Sequence, residues 1–73
     1  MPSALRLYQT LGETVRTERT KAGLSQEELA EKANLTRNYI GQIERAEKRI
    51  TLETLAKIAR GLSVRVSELT RDL

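Results

Sequence analysis

The sequence predicts an all-α fold, a compact five-helix domain that takes in residues 1–73 as a single unit. Apolar residues recur at helical spacing along the chain, and no stretch alternates convincingly with the period of two that a strand requires. Residues that start and end helices stand between these apolar stripes. A chain of 73 residues without cysteine must be held by packing alone, which favours tightly joined helices or self-association.

The first helix is predicted to begin after Ser3 as N-cap and to run to about Ala22, where Gly23 ends it. Its apolar stripe consists of Tyr8, Leu11, Val15 and Ala22. Gly12, inside this helix, costs about 1 kcal/mol relative to alanine. A glycine there indicates a close neighbour that needs the space.

The second helix begins at a capping box, in which Ser25 and Glu28 each satisfy the backbone N–H of the other. Its expected buried residues are Leu29, Ala30 and Ala33. Asn34 ends it, because asparagine tolerates the left-handed backbone of a helix end. Thr36 then caps a third helix that buries Ile40 and Ile43.

Two more helices complete the fold. A charged link of residues 46–49 leads to Thr51 as the next N-cap. The fourth helix carries an apolar stripe of Leu52, Leu55, Ile58, Ala59 and Leu62. A short fifth helix begins near Val66 and offers Leu69 and Leu73.

The composition excludes several kinds of chemistry. The chain has no cysteine and no histidine, which removes zinc fingers, cysteine nucleophiles and imidazole acid–base catalysis. No phosphate loop or nucleophile–base pair is visible, and Glu27, Glu28 and Glu31 resemble solubility charges on one helix. Five short helices also leave little room for a pocket. We therefore expect that the protein is not an enzyme and that it binds no metal, cofactor or small-molecule ligand.

The sequence also bears on the compartment. No apolar run approaches the roughly 20 residues that a membrane span needs. No signal-peptide pattern opens the chain, and the absence of cysteine fits a reducing environment. We expect a cytoplasmic protein without membrane contact.

Charge is distributed unevenly. Thirteen Lys and Arg residues against ten Asp and Glu residues leave a net charge of +3. The second helix gathers acidic residues, whereas basic residues lie on and just after the third: Arg37, Arg45, Lys48 and Arg49. This pattern indicates a polyanionic partner on one side of the molecule.

Residues 25–45 form a predicted helix-turn-helix, because only Asn34, Leu35 and Thr36 separate two helices and so short a turn makes them cross steeply. The outward positions of the third helix are Arg37, Asn38, Gly41, Gln42 and Arg45. Arginine matches the acceptors of guanine, and asparagine and glutamine match adenine. The helix N-termini at Ser25 and Thr36 offer N–H groups to phosphates. The polar face of a helix is ordinarily only in contact with solvent. Here the two capped helices, the short turn between them and these residue types occur together, and the combination predicts DNA binding. Gly41 would let the backbone of the third helix come close to the DNA.

The segment GLSQEELAEKANLTRNYIGQIERAEKRITLETLAKIARGLSV resembles the Cro/phage-repressor type of helix-turn-helix, the XRE family of bacterial regulators. Within that family, TRNYIGQIERAEKR is most similar to small stand-alone controller proteins of restriction–modification systems. The resemblance implies a phage-repressor-like DNA-binding domain whose third helix enters the major groove of double-stranded DNA. Asn34 stands where the family usually has glycine. Glu18 replaces a common leucine, which weakens the apolar face of the first helix or implies a partner for the carboxylate.

The resemblance implies roles for individual residues. The expected base contacts are Thr36, Arg37, Asn38 and Gln42. The expected phosphate or loop contacts are Ser25, Gln26, Tyr39, Arg45, Lys48 and Arg49. Solvated charge is the alternative for Arg45, Lys48 and Arg49, and half-buried packing is the alternative for Tyr39. Arg19 and Glu44 match an interhelical ion pair that holds the recognition helix at its angle.

One recognition helix covers too few base pairs to be selective, and small readers solve this by forming two-fold dimers on palindromes. The expected homodimer surface lies within residues 62–73 and consists of Val64, Val66, Leu69 and Leu73. The alternative is that Val64 and Val66 close the core.

The preferred hypothesis is a sequence-specific DNA-binding transcriptional regulator, controlled by its own concentration and autoregulating a restriction–modification operon, with RNA polymerase as a candidate partner. The alternative is an antitoxin-like protein-binding module whose DNA binding is secondary. Only residues 1–7 and 70–73 are spare for covering a toxin, which counts against that alternative.

Overall fold

Five helices account for most of residues 3–73, the part of the chain that the computed structural model describes. They are α1 (Ala4–Lys21), α2 (Gln26–Ala33), α3 (Arg37–Glu44), α4 (Leu52–Leu62) and α5 (Val66–Thr70). Over the described residues no strand is present, so the predicted all-α, five-helix fold is confirmed. Residues 1 and 2 of the predicted domain and of the spare 1–7 segment lie outside the described residues.

Local hydrogen bonds start four of the helices as predicted. Side-chain oxygens of the four N-caps accept from the backbone N–H three residues later, at 3.0–3.2 Å, in Ser3, Ser25, Thr36 and Thr51. At α2 the capping box is complete, because Ser25 N–H also donates to Glu28 Oε1 at 2.8 Å. The starts of these helices therefore depend on bonds that span only three residues.

The ends of α1 to α4 share one geometry. Each has a residue with a φ between 57° and 72°, namely Gly23, Asn34, Ala46 and Ser63. The next residue donates its N–H back to the carbonyl five positions earlier, at 2.8–3.1 Å, and these donors are Leu24, Leu35, Glu47 and Val64. This is the Schellman motif, in which the donor is commonly apolar and packs against its own helix. Three of the four donors here are apolar and pack against the core; Glu47 is the exception.

One apolar core joins all five helices. Its buried members are Leu11, Val15, Leu29, Ala30, Ile40, Ile43, Leu55, Ile58, Ala59, Leu62 and Leu69. The packing places α2 against both α3 and α4, α1 against α3, and α5 against α1 and α4. The two helices of the helix-turn-helix are thus supported from behind by the rest of the domain.

The predicted close neighbour of Gly12 is the end of α3. A Cβ at Gly12 would lie 2.5 Å from the Ile43 carbonyl oxygen and 2.8 Å from that of Glu44. Both distances are well inside van der Waals contact, and both partners are backbone atoms. A side chain at this position would therefore separate α1 from α3.

Two predicted members of the apolar stripes are exposed. Ala22 is exposed because the chain turns away at Gly23 immediately after the last turn of α1. Leu52 is 74% exposed, since it is the first residue of α4 and points away from the neighbouring helices. Helical spacing predicted both as core, but each lies at a helix end that no other element covers.

Candidate nucleic-acid interface

The turn between α2 and α3 fixes how α3 is presented. It consists of Asn34, Leu35 and Thr36. Asn34 adopts the left-handed conformation with a φ of 57°, as predicted. Leu35 packs against the core beneath the turn. Because Leu35 N–H also donates to the Ala30 carbonyl at 2.8 Å, the turn has little freedom, and α3 is held at one angle to α2.

A polar cleft of about 130 Å³ lies between α3 and the start of α2. It is lined by Gln26, Arg37, Asn38, Gly41 and Arg45. Arg37, Asn38 and Gly41 of α3 and its C-cap Arg45 fall at positions i, i+1, i+4 and i+8, which lie along one helix face. The fold therefore brings together four of the predicted DNA-contacting side chains from two helices.

The predicted role of Gly41 is wrong in one respect. Gly41 was expected to face outward and let the backbone approach DNA, but the residue is buried. The three nearest atoms to a Cβ built at Gly41 all belong to the guanidinium of Arg45, beginning with Nη1 at 3.0 Å. The space that glycine leaves open is therefore occupied by the side chain of Arg45.

A network of charge-assisted hydrogen bonds ties α1, α2 and α3 together behind this cleft. Arg19 donates from Nε to Glu44 Oε2 at 2.6 Å and from Nη2 to Glu44 Oε1 at 3.1 Å. Gln26 Nε2 donates to Glu44 Oε1 at 3.1 Å, and Arg19 Nη1 donates to the Leu24 carbonyl at 2.9 Å. The bond to Glu44 raises the pKa of Arg19 above its ordinary value. The ion pair predicted between Arg19 and Glu44 is therefore present, and Gln26 braces α3.

Comparison with known proteins agrees with this geometry. A family model described as helix-turn-helix matches residues 15–69. The chain belongs to the XRE-type helix-turn-helix family. Its members are DNA-binding transcription regulators.

Similar proteins include several controller proteins. The control protein C.SmaI of Serratia marcescens is 44% identical over 63 residues, which are 86% of this chain and 75% of that protein. The immunity repressor protein of Bacillus phage phi105 is 40% identical over 86% of this chain, a match that covers 44% of the repressor. The crystal structure of the restriction-modification controller protein C.AhdI from Aeromonas hydrophila has a TM-score of 0.84 at 37% identity, covering 85% of this chain and 94% of that one. The resemblance to XRE regulators and their controller proteins is confirmed.

The other residues predicted to contact DNA differ in how exposed they are. The hydroxyl oxygens of Ser25 and Thr36 are engaged in N-capping, and Gln42 is half-buried. Tyr39 is half-buried and packs against the core, as its alternative proposed. Lys48 and Arg49 are exposed. They line a separate depression of about 250 Å³ beside the start of α1, so they do not join the cleft on α3.

Glu47 is a residue of this surface that sequence reasoning missed. Its Oε2 accepts from Arg45 Nε at 2.9 Å, and its Oε1 accepts from Arg45 Nη2 at 3.2 Å. Hydrogen bonding to Arg45 lowers the pKa of Glu47, and the same bond raises the pKa of Arg45. Ala46, with a φ of 59°, lies between the two residues. One signal in the sequence could have identified it. The residue after the left-handed residue is apolar at the ends of α1, α2 and α4, whereas at the end of α3 it is the carboxylate Glu47.

The C-terminal surface of the helix-turn-helix protein is smaller than predicted. Leu69 is completely buried in the core, with 0% exposure, because α5 packs its apolar side against α1 and α4. It is therefore not a surface residue, and its predicted place in a dimer interface is wrong. Val64 and Val66 are half-buried against the core, and Leu73 is 47% exposed. These three residues are what remains of the predicted surface.

Within residues 3–73, no group of three or more acidic side chains has the arrangement of a metal site. None of the helices in that same part of the chain is long and apolar enough to span a membrane. Glu18, which replaces a leucine common in the family, has a partner, since its Oε2 accepts from Lys21 Nζ at 3.3 Å.

Proposed function

We propose that this chain is a sequence-specific DNA-binding transcription regulator that reads the major groove with α3. The observation that carries the proposal is the polar cleft, where Arg37 and Asn38 are exposed beside Arg45 and Gln26. Exposed arginine and asparagine on one helix face provide the donor and acceptor patterns that distinguish base pairs. Membership of a family of DNA-binding regulators supports the same function.

The proposed division of labour follows the placement of the side chains. Arg37, Asn38 and Gln42 contact bases, and Thr36 lies at the point where α3 enters the groove. Phosphates are contacted by Gln26, Arg45 and the N-terminus of α2 at Ser25. Lys48 and Arg49 contact the DNA backbone from the loop after α3, and Tyr39 supports α3 by packing against the core.

We propose that the regulator acts as a homodimer on a palindromic operator. The eight residues of α3 make a helix about 12 Å long, which matches the rise of only three to four base pairs. Two copies related by a two-fold axis would read half-sites about one helical turn apart. The exposed parts of Val64, Val66 and Leu73 provide the apolar surface for that contact.

Control of a restriction–modification operon is the biological role that the relatives favour. C.SmaI is named a control protein and C.AhdI a restriction-modification controller protein. We place this chain in the same role, with its own concentration as the signal, autoregulation as the outcome and RNA polymerase as the partner at the promoter. The site of action is the cytoplasm.

Selection from a random duplex pool with purified protein tests the function directly. Enrichment of a palindrome with half-sites about one turn apart is the expected result. Recovery of DNA without a shared sequence would refute sequence-specific reading. A stoichiometric protein partner captured from the native host, together with no DNA enrichment, would instead support the antitoxin-like alternative.

Arg37→Ala tests the assignment of a base contact. We expect binding to the selected operator to weaken by about 1–3 kcal/mol and one base position to become degenerate. Arg60→Ala is the matched control, since Arg60 is an exposed arginine on α4 outside the proposed interface. An equal loss on every duplex would make Arg37 a phosphate contact.

Light scattering over a dilution series tests the homodimer. The expected mass is twice 8.3 kDa, falling towards the monomer on dilution. Leu73→Glu should shift that transition to higher concentration, because it places a charge in the proposed interface. A monomer mass at every concentration would refute the homodimer.

A further inference from the structure

The end of α3 departs from the pattern of the other helix ends. At α1, α2 and α4 the residue after the left-handed position is apolar and packs against the core, and these residues are Leu24, Leu35 and Val64. At α3 the equivalent residue is Glu47, whose N–H donates to the Gln42 carbonyl at 2.8 Å. The backbone motif is the same, but its usual apolar contact is absent. The side chain at this position is therefore available for another contact.

The contact that Glu47 makes is a two-point pair with Arg45. Its two carboxylate oxygens accept from Nε and Nη2, at 2.9 and 3.2 Å. A planar guanidinium held along one edge by a carboxylate is fixed in orientation as well as position. Both side chains are about half exposed, at 55% and 52%, so solvent screens the attraction between them and the pair adds little stability. We therefore expect its main effect to be on the orientation of the Arg45 guanidinium.

Gly41 completes the support on the other side. The three atoms nearest to a Cβ built at Gly41 are Nη1, Cζ and Nη2 of Arg45, at 3.0, 3.6 and 3.6 Å. The guanidinium thus rests on the bare backbone of α3 one turn before its own Cα. Glu47 therefore binds the Nε edge of the Arg45 guanidinium, and Gly41 contacts the same guanidinium from α3.

We propose that Glu47 is a positioning residue that holds the guanidinium of Arg45 ready for DNA. The inference rests on the proposed DNA-binding function. With Nε and one N–H of Nη2 engaged, the outer edge of the guanidinium keeps one N–H on Nη1 and one on Nη2 pointing the same way. Arg45 lines the cleft that also contains Arg37 and Asn38.

The ligand of this edge is a pair of acceptor oxygens or nitrogens with guanidinium spacing. DNA provides such a pair in two places, the O6 and N7 atoms of guanine and two oxygens of one phosphate. Holding the arginine in advance lowers the cost of ordering a long side chain when the complex forms. Glu47 thereby strengthens binding although its own charge is repelled by DNA.

The alternative role of Glu47 has the opposite sign. If its carboxylate only shielded Arg45 and repelled phosphates, removing the charge would tighten binding to every duplex. A double-mutant cycle separates the two roles, because the effect of Glu47→Gln in an Arg45→Ala background contains the charge change without the positioning.

The experiment measures the affinity of four proteins for the selected operator: wild type, Glu47→Gln, Arg45→Ala and the double variant. We expect Glu47→Gln to weaken binding about three- to tenfold more in the wild-type background than in the Arg45→Ala background. Glu13→Gln, an exposed glutamate on α1, controls for the change in net charge. An equal effect of Glu47→Gln in both backgrounds, or tighter operator binding, would overturn the proposal.

A measurement without DNA keeps the proposal separate from the proposed function. ¹⁵N relaxation of the Arg45 Nε–H should show an ordered side chain in the wild type and a mobile one in Glu47→Gln. Equal mobility in the two proteins would overturn the positioning role, whatever DNA does. If the wild type selects no operator while Arg45 is ordered, the DNA-binding function fails and the positioning contact stands.

Two further measurements distinguish guanine from phosphate as the group that Arg45 binds. If Arg45 contacts guanine, Arg45→Ala relaxes one base position of the selected sequence and leaves the others unchanged. If Arg45 contacts phosphate, the loss is uniform across sequences, and the slope of log affinity against log salt falls by about 1.

Discussion

The Arg19–Glu44 pair allows a quantitative prediction. The side chain of Glu44 is only 4% exposed, and three N–H groups bind its carboxylate. Two of them come from Arg19, at 2.6 and 3.1 Å, and one comes from Gln26, at 3.1 Å. Arg19→Ala removes both donors from Arg19 and leaves a buried negative charge with one partner.

Breaking one side of a buried pair costs about 3–5 kcal/mol. Arg19 retains 14% exposure, so water can partly replace its donors, and we expect a loss near 3 kcal/mol. A domain of 73 residues has a total stability of roughly 4–11 kcal/mol. The variant should therefore melt about 12–24 °C lower than the wild type.

Urea unfolding followed by circular dichroism at 222 nm measures this change. The informative comparison is the double variant Arg19→Met/Glu44→Leu, in which no charge remains buried. It should recover most of the lost stability, since apolar side chains of similar volume replace such pairs at little cost. A loss below about 1 kcal/mol for Arg19→Ala, or a double variant as unstable as the sum of its single changes, would refute the reasoning.

Three further predictions concern the backbone and a helix cap. Gly12→Ala should lower the free energy of unfolding by about 1–3 kcal/mol despite the helix preference of alanine, because the new Cβ would overlap the Ile43 carbonyl oxygen. An unchanged urea midpoint would contradict that close approach. Glu28→Gln should flatten the loss of stability in acid. Hydrogen bonds from Ser25 hold the pKa of Glu28 below its ordinary value, so the stabilising effect of Glu28 is present at neutral pH and disappears as the pH falls through the lowered pKa of the folded protein. Thermal melts between pH 7 and pH 3 test this, and parallel curves for the two proteins would contradict it. Ala46→Gly should raise stability by up to about 1 kcal/mol, because alanine is strained at a φ of 59° and glycine is not. A lower melting temperature would show that the strain is absent.

Much of the fold could be predicted because its signals are local. Ser3, Ser25 and Thr36 each bind a backbone N–H only three residues away, so the residue type and the following apolar stripe suffice to place a helix start. The left-handed residue Asn34 is likewise a local preference. The Arg19–Glu44 pair was different, because its partners are 25 residues apart. It was predicted from the resemblance to a family, and no spacing within the chain would have revealed it.

The surface was less predictable, because exposure depends on what lies opposite a residue. Helical spacing assigned Leu52 to the core, and the expected homodimer assigned Leu69 to the dimer surface, whereas Leu52 is 74% exposed and Leu69 is not exposed at all. Both residues continue an apolar stripe. They differ in whether another helix packs over that part of the stripe, which depends on the arrangement of α1, α4 and α5.

By itself, the sequence determined the five helices, the N-caps of four of them and the polar character of α3, since these follow from hydrogen bonds and propensities within a few residues. The tertiary structure decided how the functional side chains meet. It packed α1 at Gly12 against the end of α3, and it placed Gln26 and Arg37 in one cleft. It also turned Glu47 back onto Arg45. The physical reason is that such contacts depend on helix crossing angles and on one left-handed residue at a helix end, neither of which a periodic pattern encodes.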